Sequence, residues 1–454
     1  MNLPPDIPNI AAYRARIGQR IPLSFAQYRI WYLQQLYHDD VMYNVARAFK
    51  VHGPLDPKAA QQALRAVAER HEPLRTRIVL DDGLPFQQIE KDPRIDFECV
   101  DLTGSTPHEV DAVVQECLVK PFELFGGRLH RTRCFRLGSS EWILLFVQHH
   151  IITDHSSWRL FLSEFSAAYA SSLTGSALSL PPVPLRYSEF AKQQWQELPL
   201  DRIRQAHTFW RGFFAGNACS TGGTTTAVVP VPVSYGKHLQ QFHPAVISDC
   251  KSVANGHAST LFTLVLSAVA LLMGKLYRER EVLVCFASAN RKDADVMPLV
   301  GCLFTNIILR LDVSQDRNLA VLLCRTRDQF ARARQERGLP FEMFADDLSL
   351  EATRHRRPPY RVYISYRNFV ANTEFSLANL SVEPIQVSTG RNTQEDIVFN
   401  FYERNSGGKL FLDLEWLWRL DRFDSRTIEE ASGLLESLLN RFRNELRSDQ
   451  QRHI

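Results

Sequence analysis

The chain has 454 residues, 45% of them hydrophobic and 23% charged, an ordinary globular composition too long for one simple core and suited to two lobes of about 200 residues each. Its 53 basic and 50 acidic residues leave a net charge of +3, which excludes a global field able to draw a polyanion, so nucleic acid is not expected as a main partner. The eight cysteines form no Cys-x-x-Cys pair, so neither a zinc cluster nor a redox motif is readable, and a reducing cytoplasm is the expected compartment.

Residues 1–20 carry Pro4, Pro5, Asp6 and Pro8 and no apolar run, which is not the pattern of a signal peptide. Trp142 to Val147 is a short apolar run and predicts a buried strand. Trp158, Phe161, Leu162, Phe165, Ala168 and Tyr169 then recur at helical spacing. The proline-rich stretch Leu180 to Leu185 and the soft stretch Gly216 to Thr226 bracket a crossover between lobes. The expected division is a first lobe over 1–180, a linker over 181–199 and a second lobe over 200–454. Leu261 to Leu276 predicts a helix capped by Ser259 or Thr260. Its apolar part, Leu261 to Met273, is too short to span a bilayer, so no membrane is expected. Val282 to Ala287 and Phe304 to Val313 predict strands. Ile397 to Tyr402 and Leu410 to Trp416 predict a hairpin around Asn405-Ser406-Gly407-Gly408, with Trp416 and Trp418 in the core. Ile428, Ala431, Leu435, Leu438, Leu439 and Phe442 mark a final amphipathic helix, and the polar tail after Arg447 is expected to fray.

The sharpest local feature is Gln148-His149-His150-Ile151-Ile152-Thr153-Asp154-His155, between the apolar strand and the helix that follows. A strand-to-helix turn exposes side chains at the end of a sheet, and a histidine there can accept a proton near neutral pH. Histidines near strand ends are also often hydrogen-bonded structural groups. Adjacent histidines on extended backbone point to opposite faces, so the pair is poorly placed to share one metal ion. One of the two can face a substrate and the other must turn inward; spacing does not say which. Asp154 is placed to orient the loop or to hold a cation.

The string His149-His150-Ile151-Ile152-Thr153-Asp154 resembles the His-His-x-x-x-Asp-Gly motif of nonribosomal peptide synthetase condensation domains. Other stretches resemble that family in its order. Leu23 to Trp31 is similar to the Ser-x-Ala-Gln-x-Arg-Leu-Trp opening, and Arg70 to Thr76 to an Arg-His-Glu-x-Leu-Arg-Thr helix end. Tyr187 to Ala191 resembles Tyr-x-Asp-Tyr-Ala, and Val300 to Asn306 resembles Ile-Gly-x-Phe-Val-Asn with one residue out of register. Leu339 to Glu342 and Ser365 to Asn368 match two further signatures. The resemblance covers about residues 21 to 445. It implies an α+β fold of two chloramphenicol-acetyltransferase-like lobes in a V-shaped pseudo-dimer with a central tunnel. It implies an acyltransferase that joins a carrier-protein thioester to an amine or hydroxyl. The partners are then acyl or peptidyl carrier proteins with phosphopantetheine arms, and a small-molecule acceptor, itself free or carrier-bound. No cofactor or metal held by the chain itself is implied. His150 is then the catalytic residue and His149 its inward structural partner, while Asp154 and Arg291 form a structural clamp. His155, Ser157 and Asn306 are expected to line the tunnel or active site.

The family's glycine after the aspartate is His155 here, which puts tunnel width, substrate class and turnover in question. Asp154-x-x-Ser157-Trp158-Arg159 is closer to epimerisation domains, but the other motifs are condensation-like. Both histidines are present, which argues against heterocyclisation. No Gly-x-Ser-x-Gly elbow is found, which favours direct transfer over an acyl-enzyme. The competing readings are a coenzyme-A-dependent acyltransferase of the same superfamily and a catalytically silent carrier-binding domain. The run Arg354-His355-Arg356-Arg357 reads as a solvated loop, with docking of an acidic carrier protein as its alternative. No adenylation motif or carrier serine segment is visible. Met1 and the short tail are expected for a free-standing domain.

Overall fold

The computed structural model describes residues 13–14, 16–37, 41–214, 234–291, 293–314, 318–335, 339–345, 348, 358–367, 375–389 and 395–452. Cys219, the soft stretch 216–226, the basic run Arg354 to Arg357 and Asn368 lie outside them. In chain order the elements are β1 (Ile21–Pro22), α1 (Phe25–Tyr37), β2 (Asn44–His52), α2 (Pro57–Arg70), β3 (Thr76–Asp81), β4 (Leu84–Ile89), β5 (Phe97–Asp101), α3 (Pro107–Val119), β6 (His130–Arg136), β7 (Glu141–His149), α4 (His155–Thr174), α5 (Tyr187–Gln196) and α6 (Leu200–Phe214). There follow β8 (Tyr235–Gln241), α7 (Pro244–Gly256), α8 (Leu261–Tyr277), β9 (Glu281–Ser288), β10 (Thr305–Asp312), α9 (Leu319–Gln335), β11 (Val362–Arg367), β12 (Ser381–Ile385), β13 (Ile397–Ser406), β14 (Lys409–Arg419) and α10 (Ser425–Arg452). Short 3₁₀ turns occupy Glu72–Arg75, His150–Ile152 and Phe341–Phe344.

Two larger sheets carry the molecule, one ordered β12-β2-β7-β6-β5 and the other β10-β9-β11-β13-β14-β8. β7 is the middle strand of the first. All its residues after Glu141 are buried, which explains a continuous apolar run rather than alternation. The apolar face of α4 lies over it, with Phe146 meeting Phe161 and Phe165 edge-on at centroid distances of 5.3 and 5.0 Å. Such edge contacts add about 0.5–1.5 kcal/mol each beyond area burial.

α8 is capped by Thr260, whose Oγ1 accepts from Thr263 N at 3.1 Å. It is buried almost all round because α7, α9, α10 and the six-stranded sheet surround it, so its apolarity serves a core. Among the described residues no single helix is long and apolar enough to cross a membrane. The β13–β14 hairpin is longer than the sequence pattern predicts. Ser406 pairs with Lys409, leaving Gly407-Gly408 as a two-residue turn with φ of 55° and 73°, a geometry that glycines allow. The expected fraying after Arg447 is corrected, since α10 runs on to Arg452. Leu446 is fully buried, and Arg447 bonds Asp249 of α7 at 3.0 Å, which ties the helix down to that point.

One feature has no local signature. β12, late in the chain, pairs antiparallel with β2 from Ser381↔His52 to Ile385↔Ala48. Phe375 just before it packs on Phe49 at 4.3 Å. The stretch 181–199 carries α5, whose Trp195 Nε1 donates to Leu23 O at 2.7 Å while Tyr187 Oη donates to Cys302 O at 2.6 Å. Segments from both halves of the chain therefore meet around α5.

Candidate active site

β7 ends at His149, and the 3₁₀ turn that follows rotates His150 to the other side. The His149 side chain is fully buried. Its Nδ1 accepts from Ile151 N at 3.1 Å, so the ring proton sits on Nε2, 3.0 Å from Gln34 Oε1. Burial pushes this imidazole down to about 3, and burial pushes that of His130 down to about 4. His150 has the opposite tautomer. Its Nδ1 donates to Thr153 O at 2.7 Å, which makes Nε2 the ring's proton-accepting nitrogen. The ring lies against Phe304 at 4.6 Å.

The neutral His149 gives stability a defined pH dependence. Its folded pKa is depressed below the unfolded value of about 6.5, so its contribution is complete above that pH and is lost as pH falls toward 3. While the unfolded state alone takes up this proton, stability falls by about 1.4 kcal/mol per pH unit. Urea unfolding of wild type and His149→Gln between pH 7 and 4.5 is expected to show a slope shallower by one proton in the variant. Parallel curves would contradict the assignment.

Asp154 caps α4 through Ser157 N at 2.8 Å. Arg291, 137 residues away, brings Nη2 to Asp154 Oδ1 and Oδ2 at 3.0 and 3.1 Å and to Ser157 Oγ at 2.9 Å. The other terminal nitrogen, Nη1, donates to the carbonyls of Val296 and Met297 at 3.1 and 3.2 Å. Both charged side chains are only 4% exposed. Leu303 N donates to Asp154 Oδ2 at 3.2 Å, and Gly301 N to Ser157 Oγ at 2.9 Å. Gly301 has φ +154°, and a Cβ there would lie 2.1 Å from the Tyr187 ring, so only glycine fits this seam. Ser157 corrects one expectation. It does not line the cavity; helix geometry turns its hydroxyl into the clamp, where it meets Gly301.

His150 opens into a cavity of about 320 Å³ lined from both halves of the chain. The expected lining residues His155 and Asn306 are there. Asn306 is held by Tyr360 and Tyr363, its Nδ2 donating to Tyr360 Oη at 3.3 Å and its Oδ1 accepting from Tyr363 Oη at 3.5 Å. His155 has ordinary helical backbone, not the positive φ that demands glycine. Its imidazole is pushed down to about 4 by desolvation at the cavity wall and by the charges of Arg367, Arg47 and Arg159, although part of the residue reaches solvent. Arg29 and Glu342 carried no assigned role in the sequence, although both stand inside quoted motifs. Arg29, 3% exposed, lies over Phe304 at 4.4 Å. Burial pushes Glu342 up to about 7, with Arg29 pulling the other way. Among the described residues no group of His, Cys, Asp or Glu side chains is assembled to hold a metal.

A family model described as the condensation domain matches residues 17–452. The isonitrile lipopeptide synthase of Mycobacterium tuberculosis is 31% identical over 445 residues, covering 95% of this chain and 17% of that protein. The chain thus spans less than a fifth of the length of the curated relatives it matches. The X-domain from teicoplanin biosynthesis superposes with a TM-score of 0.83 at 23% identity, covering 94% of this chain and 96% of that one. The condensation domain from Monacolin K polyketide synthase MokA does so with a TM-score of 0.71 at 17% identity, covering 92% and 97%. These likenesses bear out the α+β, two-lobed fold that the sequence resemblance implied. The ordered motifs, the buried seam they build and the match over residues 17–452 have one common reading, that the chain belongs to the condensation domain family.

Proposed function

We propose that this chain is a condensation enzyme. It transfers an acyl group from a carrier-protein thioester to an amine or hydroxyl, and so forms an amide or an ester. The observation that carries this reading is the His150 tautomer. With Nδ1 donating to the Thr153 carbonyl, Nε2 is the ring's proton-accepting nitrogen, in a residue that lines a cavity built from both halves.

The nucleophile attacks the thioester carbonyl, the C–O double bond becomes a tetrahedral oxyanion, and collapse expels the thiol. His150 either takes the nucleophile's proton or positions it by hydrogen bonding. Proton removal matters more for a hydroxyl than for an amine. Asp154 and Arg291 hold the loop and take no proton. The two lobes we assign are 1–180 and 200–454, joined through 181–199, with β12 returned to the first. Acyl or peptidyl carrier proteins bring the substrates on phosphopantetheine arms, and the cytoplasm is the working compartment.

His155 at the family's glycine position favours one second reading, a domain that binds carriers without turnover. Intact-mass analysis of paired, loaded carrier proteins decides between them. Product mass on the acceptor carrier, formed only with the enzyme, is expected. Equal turnover of coenzyme A thioesters with no response to carriers would give the coenzyme-A-dependent acyltransferase reading instead.

A further inference from the structure

The cavity carries an unbalanced charge at one end. Tyr363, Ser365 and Arg367 of β11 all line it, and so does His155. Arg367 Nη1 donates to Tyr402 Oη at 3.4 Å, and its guanidinium lies over the Tyr402 ring at 5.0 Å. Among the described residues no carboxylate stands within ion-pair distance of Arg367 or of Arg159. The acids nearby are already engaged. Glu415 meets Lys237 at 2.5 Å and Asn400 at 3.0 Å, Asp413 meets Arg404 at 2.6 Å, and Glu403 meets Lys251 at 3.1 Å and Tyr366 at 2.6 Å. Asp154 is held by Arg291.

Glu395 is the other acid on the cavity wall, and register removes it from this end. β11 and β13 run parallel, with Val362 opposite Ile397 and Arg367 opposite Tyr402. Glu395 precedes Ile397 by two residues. It is therefore seven residues from Arg367 along the strand direction, roughly 20 Å at about 3.3 Å per residue. His155 lines the same cavity as Arg367, and desolvation first, then the charges of Arg367, Arg47 and Arg159, hold its imidazole neutral.

We propose that Arg367, with His155 on the same cavity wall, forms a subsite for a carboxylate carried by one of the two substrates. This deepens the condensation reading and rests on it. A carboxylate is suited to the place because a planar guanidinium can donate two parallel bonds to it. The partly apolar cavity wall would fix its direction. His155 serves here as a wall and a neutral neighbour; a glycine in its place would leave this end wider.

The test uses binding rather than turnover, so its failure is distinct from failure of the condensation reading, which the carrier-protein mass experiment reads. Glutarate and the isosteric, uncharged glutaramide are titrated into the full chain at constant ionic strength. The His155 imidazole is followed by NMR, its signal assigned with His155→Gln. Saturating glutarate is expected to raise the His155 pKa by about one unit, because a bound anion offsets the neighbouring cations. Glutaramide is expected to leave it unchanged, Arg367→Gln to abolish the glutarate effect, and Arg367→Lys to restore part of it. Equal responses to glutarate and glutaramide, or a glutarate response that survives Arg367→Gln, would overturn the proposal. An inorganic phosphate titration supplies the last arm. A response to phosphate with none to glutarate would also overturn it, and would assign the cluster to a phosphate instead.

Discussion

His150→Ala is expected to abolish nearly all product formation while leaving the fold intact. General-base help is worth about 10²–10⁴-fold in rate, so product formation on paired carriers should fall by at least that factor where chemistry limits turnover. The fold should survive because His150 is half-buried on the cavity wall and its Nδ1 bond only closes the short turn to Thr153. His149→Ala is the contrasting variant. It removes a fully buried imidazole and strands Gln34 Oε1 and Ile151 N, at about 1–3 kcal/mol for each unpaired buried group. Matched thermal melts and single-turnover assays of both variants separate the roles. A normally folded His150→Ala protein with full activity would remove the catalytic assignment and leave carrier binding as the better reading.

Breaking the Asp154–Arg291 pair is expected to cause the largest loss of stability from a single side chain. Both groups are 4% exposed, and removal of one partner strands a buried charge at about 3–5 kcal/mol. Asp154→Ala also deletes the cap of α4, worth about 1 kcal/mol. Asp154→Asn keeps an oxygen for Ser157 N, and so the helix cap, but removes the charge and replaces the oxygen that accepts from Leu303 N with an NH2 group. In urea unfolding, Asp154→Asn and Arg291→Ala should each destabilise strongly. The double variant should lose much less than their sum, because the second removal strands nothing further. Additive losses would show that the two side chains do not act as a pair.

The same seam explains why so many sequence motifs proved readable. Ser24 Oγ lies 2.8 Å from Tyr187 Oη. Gln27 Nε2 donates to Ile151 O at 3.2 Å, and Glu72 Oε2 accepts from Ser188 N at 2.9 Å. Trp210 Nε1 donates to Leu339 O at 2.9 Å. These residues, all but Trp210 quoted from five separate stretches, do not line the cavity; they tie distant segments together. A buried polar group must find its partner, so each join demands a particular residue type, and that demand leaves a pattern in the chain. His150 differs because its demand comes from chemistry, yet it stands in the same string as the structural His149 and Asp154.

The sequence by itself determined the elements and their faces. The apolar run of β7, the periodicity of α4 and the glycine pair of the β13–β14 turn are local consequences of side-chain shape and spacing. It also carried the pairing of Asp154 with Arg291 through family position. Spacing left open which histidine faces the cavity and family position named His150; the tertiary structure supplies the reason, because β7 gives way to a 3₁₀ turn after His149. It alone moved Ser157 out of the cavity and into the clamp, since a hydroxyl on the first turn of α4 points wherever Gly301 is brought. It alone placed β12 beside β2, 329 residues before it from Ser381 to His52, and gathered Arg367 and His155 on one wall. Such contacts depend on long-range closure of the chain, and a strand's periodicity fixes its faces without naming its neighbour.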